Sequence, residues 1–381
     1  MSTRLALAGL LHVVEPGYPP LALAVEQHGA EQVWQALQAG RGGLGLGGAL
    51  TAAAAARAHG YDPTHDLARA RACGARLVTP ADEEWPTDRL TWFTGDLEPP
   101  PLALYVRGGP RLHDVVERSA AVVGARAATS YGATVATELA RGLADGGCAV
   151  VSGGAYGIDI AAHRGALAAD AAPTVAVLAC GVDVAYPRGN DRVIARIAER
   201  GLVVSELPPG AHPTRSRFLV RNRLIAALSL GTVVVEAADR SGSLATVARA
   251  RVLGRHVMAV PGPVTSPMSA GCHTELRNLA VCVTGAADVL DVIGVLGADA
   301  VPERRGPETT RDALPVTVRQ VLDAVPVRKG AGVAVLALAA GVSVLTVQQV
   351  LPPLLAHGLV ERTEEGWRLT ALGAGRPQAL R

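Results

Sequence analysis

The chain has 381 residues, room for two or three domains at about 150 residues each. Hydrophobic residues make up 49% and charged residues only 18%, which argues against long disordered tails and for packed cores. With 36 basic and 34 acidic side chains the net charge is +2, so a surface basic all over is excluded and any polyanion site must be local.

The five cysteines, Cys73, Cys148, Cys180, Cys272 and Cys282, are odd in number and none forms a C-x-x-C pair, so neither zinc nor a redox dithiol is expected and a reducing, cytoplasmic setting is. The apolar stretch Leu5–Val14 carries His12, runs into Glu15 and Pro16 and shows no small-residue cleavage site, which does not read as a signal peptide. Gly330–Val360 has no Lys, Arg, Asp or Glu. Gly341 and Ser343 read as the end of one helix and the cap of the next, and Gln348, Gln349, Pro352 and Pro353 break the remainder, so no membrane span is expected.

Residues 1–85 are predicted helical, with apolar spacing through Leu21-Ala22-Leu23-Val25 and Val33-Trp34-Leu37, then the run Ala49–Ala58 beyond a Gly-rich turn at Gly40–Gly48. Helix, Gly-x-Gly turn, helix is similar to a helix-hairpin-helix DNA module, yet six Arg face eight acidic residues, and the charge of −2 favours protein contact. Residues 86–101 read as irregular. Strands are then predicted at Leu102–Val106, Ala120–Gly124, Ala149–Ser152, Thr174–Ala179, Leu202–Ser205, Thr232–Glu236 and His256–Val260. Helices at Tyr131–Asp145, Ile158–Ala169, Asn190–Arg200 and Leu244–Leu253 separate them. Apolar strands alternating with helices predict a doubly wound α/β fold, an extended Rossmann-like, mostly parallel sheet covered on both faces, within a domain spanning 86–295.

A polar linker is expected over 296–312 and a third domain over 313–381. Its helices at Val316–Val325, Gly332–Ala340 and Ser343–Val350, followed by two short strands around Thr363–Gly366, outline a winged helix whose third helix should end or kink at Pro352 and Pro353.

Ligands of open parallel sheets bind beyond the strands' carboxyl ends. Two loops there are informative: Gly124-Ala-Arg126, and Ser152-Gly153-Gly154-Ala-Tyr156-Gly157-Ile-Asp159, which opens directly into a helix and suits a phosphate. The G-x-G-x-x-G order is missing and the nearest later acid, Asp183, lies past the next strand, so no dinucleotide cofactor is expected. Between Gly210 and Arg255, Arg215, Arg217, Arg221, Arg223, Arg240, Arg249, Arg251 and Arg255 face only Glu236 and Asp239, a net of +6 in 46 residues. Phe218, one of two Phe in the chain, sits among them, and guanidiniums beside an aromatic face suit single-stranded nucleic acid. A core Phe on a helix with a solvated cationic face would produce the same pattern. His163, without a Ser, Cys or metal partner at its spacing, reads as a packing residue.

The ordered series Val123-Gly-Ala-Arg126, Ser152-Gly-x-x-x-Gly157-Ile-Asp159, Gly181-x-Asp183-x-x-Tyr186-Pro187-x-x-Asn190, Ser205-Glu206-x-Pro-Pro-Gly210, Phe218-x-x-Arg221-Asn222-Arg223, Ser241-Gly-Ser-Leu244 and Val260-Pro-Gly262 resembles the DNA-processing protein A (DprA, or Smf) family. The resemblance spans about 120–265, and the flanks look like the helical SAM-type or helix-hairpin-helix and winged-helix modules of many members. It implies a non-enzymatic homodimer that binds and shields single-stranded DNA and helps load the RecA recombinase in natural transformation. Carried over by position, Arg126, Arg221 and Arg223 would hold phosphates, Phe218 would lie near a base, Gly124, Ser152, Gly153, Gly157, Ser241, Gly242 and Ser243 would line the strand, and Asn222 and Arg215 would join them. The chain departs from the family pattern at Ala125, Tyr156, His273, Glu275 and Leu279.

Two other readings compete. Nucleoside-monophosphate phosphoribohydrolases of the LOG type share a related fold, but their functional Glu falls on Arg249, which inverts the charge needed at a ribosyl cation. A duplex-DNA regulator acting through the winged helix would have to read bases with Gln348 and Gln349 alone, since Ser343–Val350 lacks Arg and Lys, and would hold the backbone through Arg362 and Arg368 of the hairpin.

Overall fold

The computed structural model describes residues 1–41, 44, 46, 48–92, 98–294 and 313–374. The chain forms two compact units divided near residue 301. The first contains a nine-stranded sheet with strand order β1-β2-β6-β5-β4-β3-β7-β8-β9. Five helices lead into it: α1 (Thr3–Val13), α2 (Pro19–His28), α3 (Ala30–Gln38), α4 (Gly48–Ala58) and α5 (Thr64–Ala72). The edge strands β1 (Ala75–Val78) and β2 (Leu104–Arg107) follow, with the short helix α6 (Thr87–Leu90) between them.

Then α7 (Leu112–Glu117) opens the alternating series β3 (Ser119–Val123), α8 (Ser130–Asp145), β4 (Ala149–Ser152), α9 (Ile158–Leu167), β5 (Thr174–Val177), α10 (Asp191–Arg200) and β6 (Leu202–Ser205). It continues through α11 (Arg215–Ala227), β7 (Gly231–Val234), α12 (Leu244–Val252), β8 (His256–Ala259), α13 (Ala270–Arg277), β9 (Val281–Cys282) and α14 (Ala286–Ile293). Strands β3 to β9 pair in parallel, whereas β2 runs antiparallel to both β6 and β1. Every residue of β3, β4, β5, β6 and β7 is buried, as a sheet covered on both faces requires.

The expected boundary near residue 85 does not divide the packing. Leu10, Val33, Trp34 and Leu37 of the leading helices share one core with Tyr105, Ala176, Leu178, Ile197 and Val203 of the sheet and α10. The helices bury an apolar face on a sheet flank that would otherwise be wet, and β1, inside the segment expected to be wholly helical, adds an edge strand. Short alternating strands such as Ala75-Arg-Leu-Val carry too little periodicity to be seen without their partner. The predicted linker, 296–312, lies outside the described residues.

The second unit holds α15 (Val316–Ala324), α16 (Val333–Ala340), α17 (Val344–Ala356) and the hairpin β10 (Val360–Thr363) with β11 (Gly366–Leu369), in the order anticipated for a winged helix. Ala331 adds a bridge to Trp367. Helix α17 does not end early at Pro352 and Pro353 but continues through both to Ala356. Both prolines and the preceding turn's Gln348 and Gln349 are exposed, so the carbonyls the rings release face water, while buried Val347, Leu351 and Leu354 hold the last turn to the core. Among the described residues no single helix is long and apolar enough to cross a membrane; α16 and α17 pass that test only together and are bent by 105°.

Candidate nucleic-acid interface

The parallel strands end on one edge, and an open groove of about 900 Å³ lies there. Its walls come from the loop after β3 (Gly124, Arg126), the loop after β5 (Tyr186), one side of α11 (Arg215, Phe218, Asn222) and the loop before α12 (Arg240 to Ser243). The loops converge because parallel strands in one sheet point their carboxyl ends the same way.

Helix α11 starts where Thr214 accepts a hydrogen bond from the Arg217 N–H at 3.3 Å. Its first turns turn Arg215 and Phe218 to the groove. The Arg126 guanidinium lies over the Phe218 ring at 4.9 Å from the centroid, within cation–π range. Tyr186 meets the same ring at 5.7 Å with the planes tilted by 48°. Arg126, Arg215 and Arg240 are exposed, and among the described residues none is paired with a carboxylate. They form the cationic rim.

The rest of the arginine cluster is engaged elsewhere. Arg217 forms a two-pronged pair with Glu15 at 2.7 and 2.8 Å, Arg249 meets Glu98 at 2.6 Å, and Arg251 meets Glu275 at 2.6 Å. Arg223, expected to hold a phosphate, is fully buried. Its guanidinium donates to both carboxylate oxygens of buried Glu206 at 2.7 and 2.8 Å and to the Pro99 carbonyl at 3.0 Å. The reason is helical geometry: five residues past Phe218 is a rotation of about 140°, which turns Arg223 from the groove toward the loop after β6.

Arg221 is also corrected. It lines the groove floor but is buried, donating to the carbonyls of Gly153, at 2.8 Å, and Val177. Burial lowers its pKa to about 10, opposed by the charge of Asp159, so it remains a cation at neutral pH and ties α11 to the ends of β4 and β5. Asn222 accepts from the Arg221 Nε–H at 3.4 Å and donates to the Gly242 carbonyl at 3.4 Å, which anchors the serine loop.

The loop after β4 does not present the cradle that its glycines suggested. The Ser152 hydroxyl, fully buried, donates to the Val122 carbonyl at 2.6 Å, stitching β4 to β3. The Gly153 N–H donates to the Asp159 carboxylate at 3.1 Å and is spent there. A side chain at Gly153 would strike the Arg221 guanidinium at 2.5 Å, and Gly157, at φ +77°, has the Ala125 carbonyl 2.2 Å from where a Cβ would stand. These glycines serve close packing around the buried Arg221 and Asp159, whose carboxyl pKa is raised by burial. Gly124 is pressed against Ile158 in the same way, yet still lines the groove. His163 is buried as expected, with Nδ1 2.8 Å from the Thr174 hydroxyl, and burial lowers its pKa to about 3.

The serine loop is open. Ser241 and Ser243 share a 2.7 Å hydroxyl contact, and Gly242 has free space where a Cβ would stand. Of the predicted site residues, the groove thus gathers Gly124, Arg126, Arg215, Phe218, Arg221, Asn222, Ser241, Gly242 and Ser243, and leaves out Ser152, Gly153, Gly157 and Arg223. It adds Tyr186 and Arg240. Tyr186 belonged to a recognisable motif but, lacking charge and a helical register, gave no sign of facing Phe218.

The family model for DNA recombination-mediator protein A matches residues 76–294. The chain belongs to the DNA recombination-mediator protein A family. The DNA processing protein DprA of Mycobacterium tuberculosis is 44% identical over 386 aligned positions, covering 99% of this chain and 97% of the relative. The DprA of Streptococcus pneumoniae is 40% identical over 203 positions, 53% of this chain and 71% of its own. The X-ray structure of that protein superposes with a TM-score of 0.64 at 30% identity, covering 77% of this chain and 99% of the solved one. A Helicobacter pylori DNA processing protein A, solved to show its single-stranded DNA binding mode, superposes with a TM-score of 0.50 at 30% identity over 57% of this chain and 94% of the solved one. The matched range thus takes in β1 from Arg76 onward and every wall of the groove.

Proposed function

We propose that the groove binds single-stranded DNA and that the protein, as a homodimer, shields the strand and delivers it to the RecA recombinase. One observation carries the DNA reading: three guanidiniums with no carboxylate partner among the described residues, Arg126, Arg215 and Arg240, line one open groove with the Phe218–Tyr186 aromatic pair. Guanidiniums neutralise backbone phosphates, and aromatic faces are useful only to bases that are not already stacked and paired in a duplex. The H. pylori relative's single-stranded DNA binding mode supports the same choice of ligand, and the family's recombination-mediator role supports hand-over to a recombinase. The hydrolase reading loses ground because its carboxylate position is Arg249, which pairs with Glu98 rather than facing a substrate.

The test is a fluorescence-anisotropy titration of oligo-dT and a matched duplex at two salt concentrations. The strand should bind more tightly, with a log–log salt slope of about −0.7 per phosphate contacted. Preference for duplex would overturn the reading in favour of the second unit, and absence of binding to either would overturn the nucleic-acid assignment itself. A pull-down of RecA with the strand-loaded protein tests the delivery step.

A further inference from the structure

The chain has six tyrosines, and two of its most exposed aromatic side chains, Tyr156 and Tyr186, stand on the loops after the adjacent strands β4 and β5. Tyr186 is 43% exposed and Tyr156 50% exposed. An exposed aromatic ring in an otherwise well-packed molecule loses the apolar burial that normally holds it, so two on one sheet edge call for a ligand surface.

Their placement is continuous with the groove. Tyr186 touches Phe218 at a 5.7 Å ring separation and lines the groove mouth. Three residues on, Gly189 packs so closely under Tyr156 that a Cβ there would stand 2.8 Å from its hydroxyl. The segment joining them is held in place: the buried Asn190 side chain donates to the Gly154 carbonyl at 2.9 Å, tying the loop after β5 to the loop that carries Tyr156. Arg188, between the two rings in sequence, is exposed, and among the described residues no carboxylate pairs with it.

Phe218 itself has little free face. Arg126 covers it at 4.9 Å, Arg221 approaches at 5.9 Å and Tyr186 leans on its rim. Its ring braces the Arg126 guanidinium, and the open aromatic surface lies beside it.

We infer that the strand path extends beyond the arginine groove onto a base-stacking track formed by Tyr186 and then Tyr156, with Arg188 beside it for the intervening phosphate. This rests on the single-stranded DNA reading above and adds to it the place where unpaired bases are held. Stacking carries no charge neutralisation, so the two rings strengthen binding without steepening its salt dependence, and only Arg188 adds to the slope.

The experiment uses the full chain and oligo-dT of increasing length, with wild type, Tyr186→Ala, Tyr156→Ala, Tyr186→Phe and Arg126→Ala compared by anisotropy at several salt concentrations. Each Tyr→Ala variant should bind a long strand about tenfold more weakly, the equivalent of ~1.4 kcal/mol for one stacked base, with the salt slope unchanged. The Tyr156→Ala loss should vanish for strands too short to leave the groove, whereas Tyr186→Ala, at the groove mouth, should weaken binding at every length, and Tyr186→Phe should recover most of what Tyr186→Ala loses. A 2-aminopurine placed in the strand should lose its quenching in the Tyr→Ala variants. Arg126→Ala should instead flatten the slope. If both Tyr→Ala variants bind every length as wild type does, or weaken binding with a flatter slope, the track is wrong while the groove stands. If wild type binds no strand, the groove reading fails first.

Discussion

The first turn and the middle of helix α11 carry the same residue type and do opposite things. At its start Arg215 is exposed on the groove rim, and Phe218 supports the Arg126 guanidinium of a neighbouring loop. At its middle Arg221 and Arg223 are buried, one on backbone carbonyls and the other locked to Glu206. An arginine on the rim is surrounded by water and has its charge to offer a ligand, whereas an arginine in the interior must have its charge and donors satisfied before the chain can fold.

The contrast breaks most visibly at Arg223. Arg223→Ala leaves Glu206 charged and unpaired in the interior and should cost about 3–5 kcal/mol of stability in urea denaturation. The double variant Arg223→Met with Glu206→Leu should recover most of that loss, and the salt slope of strand binding should match wild type. A flatter slope in the refolded double variant would return Arg223 to the groove.

A second way to sharpen the contrast titrates the buried side. His163 has its pKa lowered from 6.5 to about 3. Between those values the unfolded chain binds a proton that the folded chain refuses, so folding stability falls as pH drops through that window, by at most ~1.4 kcal/mol per pH unit from this group. His163→Gln should flatten the stability profile between pH 6.5 and 4, and an unchanged profile would mean the imidazole is not held neutral.

On the exposed side, Arg126→Ala should weaken oligo-dT binding about tenfold and reduce the magnitude of the log–log salt slope by about 0.7, the loss of one phosphate, with the melting temperature unchanged. A normal slope would place Arg126 off the backbone path. The smallest effect is expected at Ser152. Ser152→Ala removes one buried hydrogen bond to Val122 and should cost about 1 kcal/mol of stability, with strand affinity as in wild type. Weaker DNA binding at unchanged stability would put that hydroxyl in the site.

Much of the fold was legible beforehand. Strands β4 and β6 fall on the predicted residues, and α8, α9, α10 and α12 lie within two residues of prediction at either end, because fully buried parallel strands read as apolar runs between helix-length segments. Of the antiparallel edge, β2 was foreseen as a strand at Leu102–Val106, whereas β1 was not. Ala75–Val78 becomes a strand only by pairing with Leu104–Arg107, and no periodicity in four residues announces a partner that distant. The site was legible as a region: the motifs around Arg126, Phe218 and Ser241 were seen, and all three reach the groove. The individual roles within it were less so. Ser152, Gly153 and Gly157 match a phosphate loop in type and spacing, yet the Ser152 hydroxyl is spent on the Val122 carbonyl and the Gly153 N–H and carbonyl on Asp159 and Arg221.

By itself the sequence determined the α/β architecture, the family and the stretch of chain where a polyanion would be held, since apolar periodicity, motif order and local charge are all properties of residues read in line. Tertiary structure alone decided which arginines are free. Whether a guanidinium faces water or a carboxylate depends on its angle around a helix and on what distant segments bring to it: Glu15 and Glu98, far away in sequence, neutralise Arg217 and Arg249, while nothing described neutralises Arg126. Charge is written residue by residue, but its availability is a property of packing.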